Sequence, residues 1–201
     1  MTDRLYEGEP GAEVWRSDVA PGFTVHVLDP AADLDVLHAW VTRPHAGFWG
    51  LDALSRDELR ETYEFVASLP THAAYLVRAA GEPVVLVQLY HPEDDPLAAA
   101  YDVRPGDLGV HFFRGEGSVP WQVLGPAMLD FAFSRPAVDR LVAEPDVRNR
   151  AAVARTAASG FELAGEISFD SASGRKDAVL AFCTRERAEQ LVRRAGAAAV
   201  G

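Results

Sequence analysis

Apolar residues along the chain alternate between two spacings, and the switches mark its elements. FTVHVL at 23–28 alternates with the period of a strand. Asp29-Pro30 then supplies a cap and a proline suited to a first helical turn, so a helix is predicted over roughly 30–42, carrying Leu34, Leu37, His38 and Trp40. Ser55-Arg56-Asp57-Glu58 is an S-x-x-E reciprocal cap, continued at helical spacing by Leu59, Tyr63 and Val66. AAYLVRAA and PVVLVQLY, joined at Gly81, predict a β-hairpin, and the turn-rich segment 91–106 a loop. DLGVHFF at 107–113 predicts a strand that feeds, through the glycine-bearing turn 114–118, a largely buried helix from Pro120 to Ser134. LVAEP at 141–145 predicts the next strand, and RNRAAVARTAASGF a helix that stops at Gly160. FELAGEISF and DAVLAFC predict two closing strands, and the Arg- and Ala-rich tail from Thr184 a last helix. Residues 1–22, rich in Gly, Pro, Glu and Asp, predict a loosely held arm before a domain over 23–201. Antiparallel hairpins beside a strand–helix–strand–helix passage place the chain in the α/β or α+β class, with one central mixed sheet.

Composition narrows the partners. With 201 residues, 48% hydrophobic and 24% charged, the chain has the balance of one globular domain rather than of a disordered or fibrous protein. A formal charge of −11 disfavours phosphate backbones and anionic lipid surfaces, so neither nucleic acid nor a membrane is expected as partner. A cationic or neutral small molecule suits it better. One cysteine, Cys183, excludes an intramolecular disulfide and any multi-thiolate zinc site. The sequence carries no apolar signal-peptide core near Met1 and no run of eighteen uncharged apolar residues, so a cytoplasmic location is expected.

The candidate chemistry gathers around residues 107–149. Backbone N–H groups of Arg114, Glu116, Gly117, Ser118 and Val119, at a helix N-terminus, can cradle a pyrophosphate, or can form an ordinary β-to-α turn. Strand alternation puts Asp107, Gly109, His111 and Phe113 on one face. His111 is then placed to accept a proton, or to sit hydrogen-bonded in a core. Asp146 can orient that imidazole or cap the next helix, and Asn149 can offer its amide to a ligand or to its own turn. Apart from His91 and Asp95 in the turn-rich segment, His26, His38, His45, His72 and His91 lack the i, i+4 spacing with a carboxylate of a helical zinc pair, so no metal is expected. Cys183 sits in the apolar run AVLAFC, as a buried inert thiol would. Neither G-x-S-x-G nor G-x-x-x-x-G-K-[ST] occurs, which sets aside serine hydrolases of the elbow type and P-loop enzymes.

The element order from Phe23 to about Cys183 resembles the GCN5-related N-acyltransferase (GNAT) fold. LHAWVTRPHAGFW at 37–49, GDLGVHFFRG at 106–115 and EPDVRNRAAVARTAASGF at 144–161 are similar to the siderophore-biosynthesis branch. That branch acylates hydroxylated lysine, ornithine or cadaverine in hydroxamate assembly, or lysine in mycobactin. The resemblance implies a single mixed, mostly antiparallel sheet with splayed central strands flanked by helices. It also implies acyl-CoA, acetyl-CoA or succinyl-CoA, as co-substrate, with its pyrophosphate on the turn 114–119 and its pantetheine between strands ending near Phe113 and Glu144. His111 matches the active-site histidine, Asp146 its acidic partner and Asn149 the asparagine after it; Phe112 and Phe113 fall on the cofactor strand. Trp40, His45 and Trp49 fall on the passage that walls the acceptor pocket, where apolar packing is their alternative role. Two departures stand out: Val119 replaces the last small residue of the phosphate turn, and no tyrosine follows Tyr101 to protonate a departing thiolate.

Acid–base arithmetic favours the hydroxylated acceptor. An ordinary lysine-type amine is neutral in only about one part in two thousand at pH 7, whereas a hydroxylamine nitrogen is already neutral and asks less of a base. With no credible nucleophile in the chain, direct transfer without an acyl-enzyme is expected, the oxyanion meeting a backbone N–H around Val110 to Phe112. The alternatives are acetylation of another small amine, such as an aminoglycoside, and a non-catalytic acyl-CoA-binding module.

Overall fold

Phe23–Val27 (β2) lies between two antiparallel neighbours, Glu13–Arg16 (β1) and His72–Ala79 (β3), with Trp15 and Val77 both in register with Val25. A computed structural model describes Leu5 and residues 8–18, 20–115, 119–171 and 174–199. Residues 13–16, predicted within a loose arm, are thus a paired strand. Val14 and Trp15 are each part-buried there, more than a solvated arm requires.

Leu34–Val41 (α1) begins later than the sequence predicts. Asp29 Oδ1 accepts from the backbone N–H groups of Ala31 and Ala32, both at 2.9 Å, and so closes a turn ahead of the helix. The N-cap is Asp33, whose carboxylate bonds the Arg78 guanidinium at 2.9 Å. Leu37, Trp40 and Val41 share the buried face at i, i+3, i+4. Arg56–Ser68 (α2) carries the complete capping box: Ser55 Oγ accepts from the Glu58 N–H and Glu58 Oε2 from the Ser55 N–H. It buries Leu59 and Tyr63. The turn between β3 and Glu82–Tyr90 (β4) has positive φ at Ala80 and Gly81, as a two-residue hairpin turn that follows strand twist requires. With the latter part of Asp107–Arg114 (β5), these elements form one compact unit, residues 1–16, 22–89 and 111–118.

The second unit comprises residues 17–21, 90–110 and 119–201. Its strands are the first part of β5, Arg140–Ala143 (β6), Glu162–Ser171 (β7) and Gly174–Thr184 (β8). β5 and β6 run parallel; β6–β8 and β7–β8 are antiparallel. Trp121–Phe133 (α3), Arg150–Ala158 (α4) and Arg185–Ala199 (α5) accompany them. α3 buries Leu124, Met128 and Phe131, and Arg185 closes its far end by donating to the carbonyls of Phe133, Arg135 and Val138. Along the chain's sheet the strand order is β1-β2-β3-β4-β5-β6-β8-β7, which makes it mixed and mostly antiparallel, as expected. No helix among the described residues is long and apolar enough to cross a membrane.

Candidate active site

β5 and β6 share only three rungs, Asp107↔Arg140, Leu108↔Leu141 and Gly109↔Val142, where the ladder ends. The first rung is clamped by a bidentate pair: Arg140 Nε and Nη2 each donate to the buried Asp107 carboxylate at 2.7 Å. Tyr101 adds its hydroxyl to the same carboxylate at 3.1 Å. At the third rung Gly109 is required, because an added Cβ would stand 2.2 Å from the Tyr90 ring. β5 itself runs on from Val110 to Arg114.

His111 is part-buried, on the same face of β5 as Asp107, Gly109 and Phe113. Trp49 stands edge-on to it, ring centroids 6.1 Å apart, and edge-on to Phe113 at 5.1 Å. Trp49 ends the 3₁₀ turn Pro44–Trp49, which Gly50 closes in the left-handed conformation. Trp40 stacks on Phe113 at 6.3 Å and covers Gly115, where a Cβ would lie 2.0 Å from the indole. Trp40 and Phe113 are core residues at 3% and 6% exposure, so any part they take in binding falls to backbone or to support of Trp49. Phe112 is part-buried on the opposite face, and Arg114, also part-buried, ends the strand. The backbone of His45 lies in the 3₁₀ turn. Glu116, Gly117 and Ser118, three of the five residues assigned to the phosphate cradle, lie outside the described residues; Val119 follows them, one residue before the Pro120 cap of α3.

In the second unit Asp146 follows β6 and bridges to Ala178 of β8. Its Oδ1 accepts from the Arg148 N–H at 2.8 Å and Nε at 2.9 Å, and its Oδ2 from Nη2 at 2.7 Å. Those hydrogen bonds hold its carboxyl below the usual carboxylate range. The cap of α4 is Asn149, not Asp146: Asn149 Oδ1 accepts from the Ala152 N–H at 3.0 Å, a bond that uses only the oxygen of the amide. Cys183 is fully buried, its thiol pushed up to about 12 by burial, as befits an inert side chain.

Sequence patterning missed a polar cluster beside Asp146. Glu144, 4% exposed, accepts from the Tyr90 hydroxyl at 2.8 Å and from Lys176 Nζ at 3.0 Å. Glu144 falls in a predicted strand and Lys176 between the two predicted closing strands; only the lysine's uniqueness in the chain could have flagged it. Among the described residues no group of three or more His, Cys, Asp or Glu could hold a metal ion.

Residues 29–169 match the family described as "Acetyltransferase (GNAT) domain". The chain belongs to the GNAT acetyltransferase family. The lysine N-acyltransferase MbtK of Mycobacterium sp. (strain MCS) is 28% identical over 159 residues, 74% of this chain and 63% of that protein. The chain thus spans just under two thirds of that relative's length. An uncharacterised protein (bh2621) of Bacillus halodurans superposes with a TM-score of 0.78 at 19% identity, covering 94% of this chain and 98% of the other. AAC(6')-Ib in complex with paromomycin and acetyl-CoA gives 0.70 at 23% identity, with 84% and 97% covered. The AAC(6')-Ib superposition bears out the GNAT fold.

Proposed function

We propose that the chain is an acyl-CoA-dependent N-acyltransferase, and that it moves an acetyl or succinyl group onto an N-hydroxylated diamine or amino acid in hydroxamate siderophore assembly. The observation that carries this is His111, a part-buried imidazole with an aromatic wall at Trp49, on a strand that runs on past the end of its parallel ladder. Family membership supplies the acyl-transfer chemistry, and the similarity to MbtK, a lysine N-acyltransferase, favours a lysine-like acceptor.

In this mechanism the thioester lies along β5 beyond its last rung with β6. The coenzyme's pyrophosphate takes the backbone N–H groups of residues 114–119, with Asn149 contributing its amide. The acceptor enters past Trp49 and His45. Its nitrogen attacks the thioester carbonyl while His111 takes the nitrogen's proton, so that a C–N bond forms and the oxyanion meets a backbone N–H near Val110 to Phe112. Collapse breaks the C–S bond, and the proton held by His111 passes to the thiolate, replacing the tyrosine this chain lacks. Asp146, kept ionised by Arg148, is the second residue assigned to catalysis. Acyl-CoA as donor suits a cytoplasmic enzyme.

The test is release of coenzyme A thiol from acetyl- and succinyl-CoA against hydroxylated and plain lysine, ornithine and cadaverine, with an aminoglycoside alongside. Turnover is expected with the hydroxylated acceptors, at rates above those of the plain amines. Turnover confined to the aminoglycoside would transfer the assignment to that acceptor class. Coenzyme A binding with no thiol release from any acceptor would make the chain a binding module.

A further inference from the structure

The Tyr90–Glu144–Lys176 cluster has no part in the mechanism above, yet it occupies the end of β6, two residues before Asp146. The members come from separate segments: Tyr90 from β4, Glu144 from just after β6 and Lys176 from β8. Tyr90 ends β4, is 2% exposed, and lies flat against Gly109 of β5, where no side chain could fit. Its hydroxyl donates to one oxygen of Glu144, and Lys176 of β8 donates to the other. The lysine stem leans over Phe169, its cross-strand partner in β7, with Nζ 5.5 Å from the ring centroid. Lys176 is the chain's one lysine beside eighteen arginines, and it sits where an ammonium meets a carboxylate sealed from water. A buried carboxylate deprived of its cation either takes up a proton or destabilises its surroundings.

The neighbouring charges define what the lysine does. Around the pair stand Tyr90 from β4, Asp95 and Tyr101 from segment 91–106, and Asp146, Arg148 and Asp177 from the stretch after β6 and from β8. Glu144 and Asp146 are two carboxylates on one strand end. Arg148, the direct partner of Asp146, is 77% exposed and therefore weakened by solvent and salt. Lys176, at 28%, is the better shielded cation, and its charge acts on Asp146 as well as on Glu144.

We propose that Lys176 is a positioning residue for acyl transfer: by neutralising the buried Glu144 it fixes the chain just after β6 and spares Asp146 the uncompensated charge of that carboxylate. This rests on the assignment of Asp146 under the proposed function. Its sign follows from like-charge repulsion. Without the ammonium, the site gains the uncompensated charge of Glu144, which favours the protonated forms of the groups around it, so activity lost on acidification is lost at higher pH.

The experiment compares kcat and kcat/KM against pH for the full chain, Lys176→Met, Lys176→Arg and the double variant Glu144→Gln with Lys176→Met, with acyl-CoA and the best acceptor of the thiol-release panel. Lys176→Met is expected to lower kcat about tenfold and to move the acid limb up by about one pH unit, leaving KM for acyl-CoA nearly unchanged. Lys176→Arg keeps the charge and should restore the limb, and the double variant, with no orphaned carboxylate, should bring it back toward the parent. An unmoved limb in Lys176→Met overturns the proposal. So does a uniform loss at every pH that the double variant fails to relieve, since that is the behaviour of a purely structural pair. If Lys176→Met does not fold, the double variant and Lys176→Arg decide: a displaced limb in either contradicts the proposal. Asp146→Asn is assayed in parallel. Full activity there removes Asp146 from the mechanism, whereas its inactivity together with an unaffected Lys176→Met removes only the role of Lys176.

Discussion

At the scale of single residues, two glycines and one carboxylate set the site's limits. Gly109→Ala must place its Cβ within 2.2 Å of the Tyr90 ring, and Gly115→Ala within 2.0 Å of Trp40. Each overpacks a closed aromatic contact, at a cost of about 1–3 kcal/mol. Thermal unfolding should show both below the parent; a Gly109→Ala protein with parental Tm would mean that the ring has somewhere else to go. Asp146 gives a pH prediction with a defined sign. Its folded-state carboxyl lies below the ordinary value of 3.8, so its contribution to stability is present above that value and is lost as pH falls through the depressed one. Activity on the acid side should therefore show no ionisation from Asp146 between pH 5 and neutrality. A pH profile in which Asp146→Asn abolishes a limb inside that window would contradict this.

At the scale of elements, the chain was most legible where side chains act locally. The S-x-x-E motif at Ser55 predicted a capping box, and both of its bonds are present. Ser55→Ala should lower the unfolding free energy by about 1 kcal/mol and leave turnover unchanged; in chemical denaturation, no shift in midpoint would show that the box contributes nothing. The glycine stop at Gly160 and the hairpin turn at Gly81 were legible for the same reason, since both have positive φ. Prediction failed where tertiary partners outbid local chemistry. Asp29 looked like a helix cap but serves a preceding turn, and the cap that follows, Asp33, is engaged by Arg78, 45 residues away. Residues 13–16 looked like an arm because their strand is short and only half covered, and it is defined by pairing with β2. The face of His111 on β5 could be read from alternation, but the bond from Lys176 to Glu144 could not, because 32 residues, including the helix α4 and the turn from β7 into β8, separate them.

For the whole molecule, charge is the property most open to measurement. A net charge of −11 raises the local concentration of a cationic acceptor and opposes the tetra-anionic character of an acyl-CoA donor. Raising ionic strength should increase KM for a hydroxylated diamine while easing binding of the coenzyme; identical salt dependence for a cationic and a neutral acceptor would show that the acidic surplus has no part in capture. The central claim remains the passage of a proton through one imidazole. The most direct measurement is thiol release by His111→Ala beside coenzyme A affinity determined by calorimetry on the same preparation. A fall in kcat of about 10²- to 10⁴-fold with unchanged coenzyme A affinity is predicted; a variant that turns over at the parental rate would contradict the account.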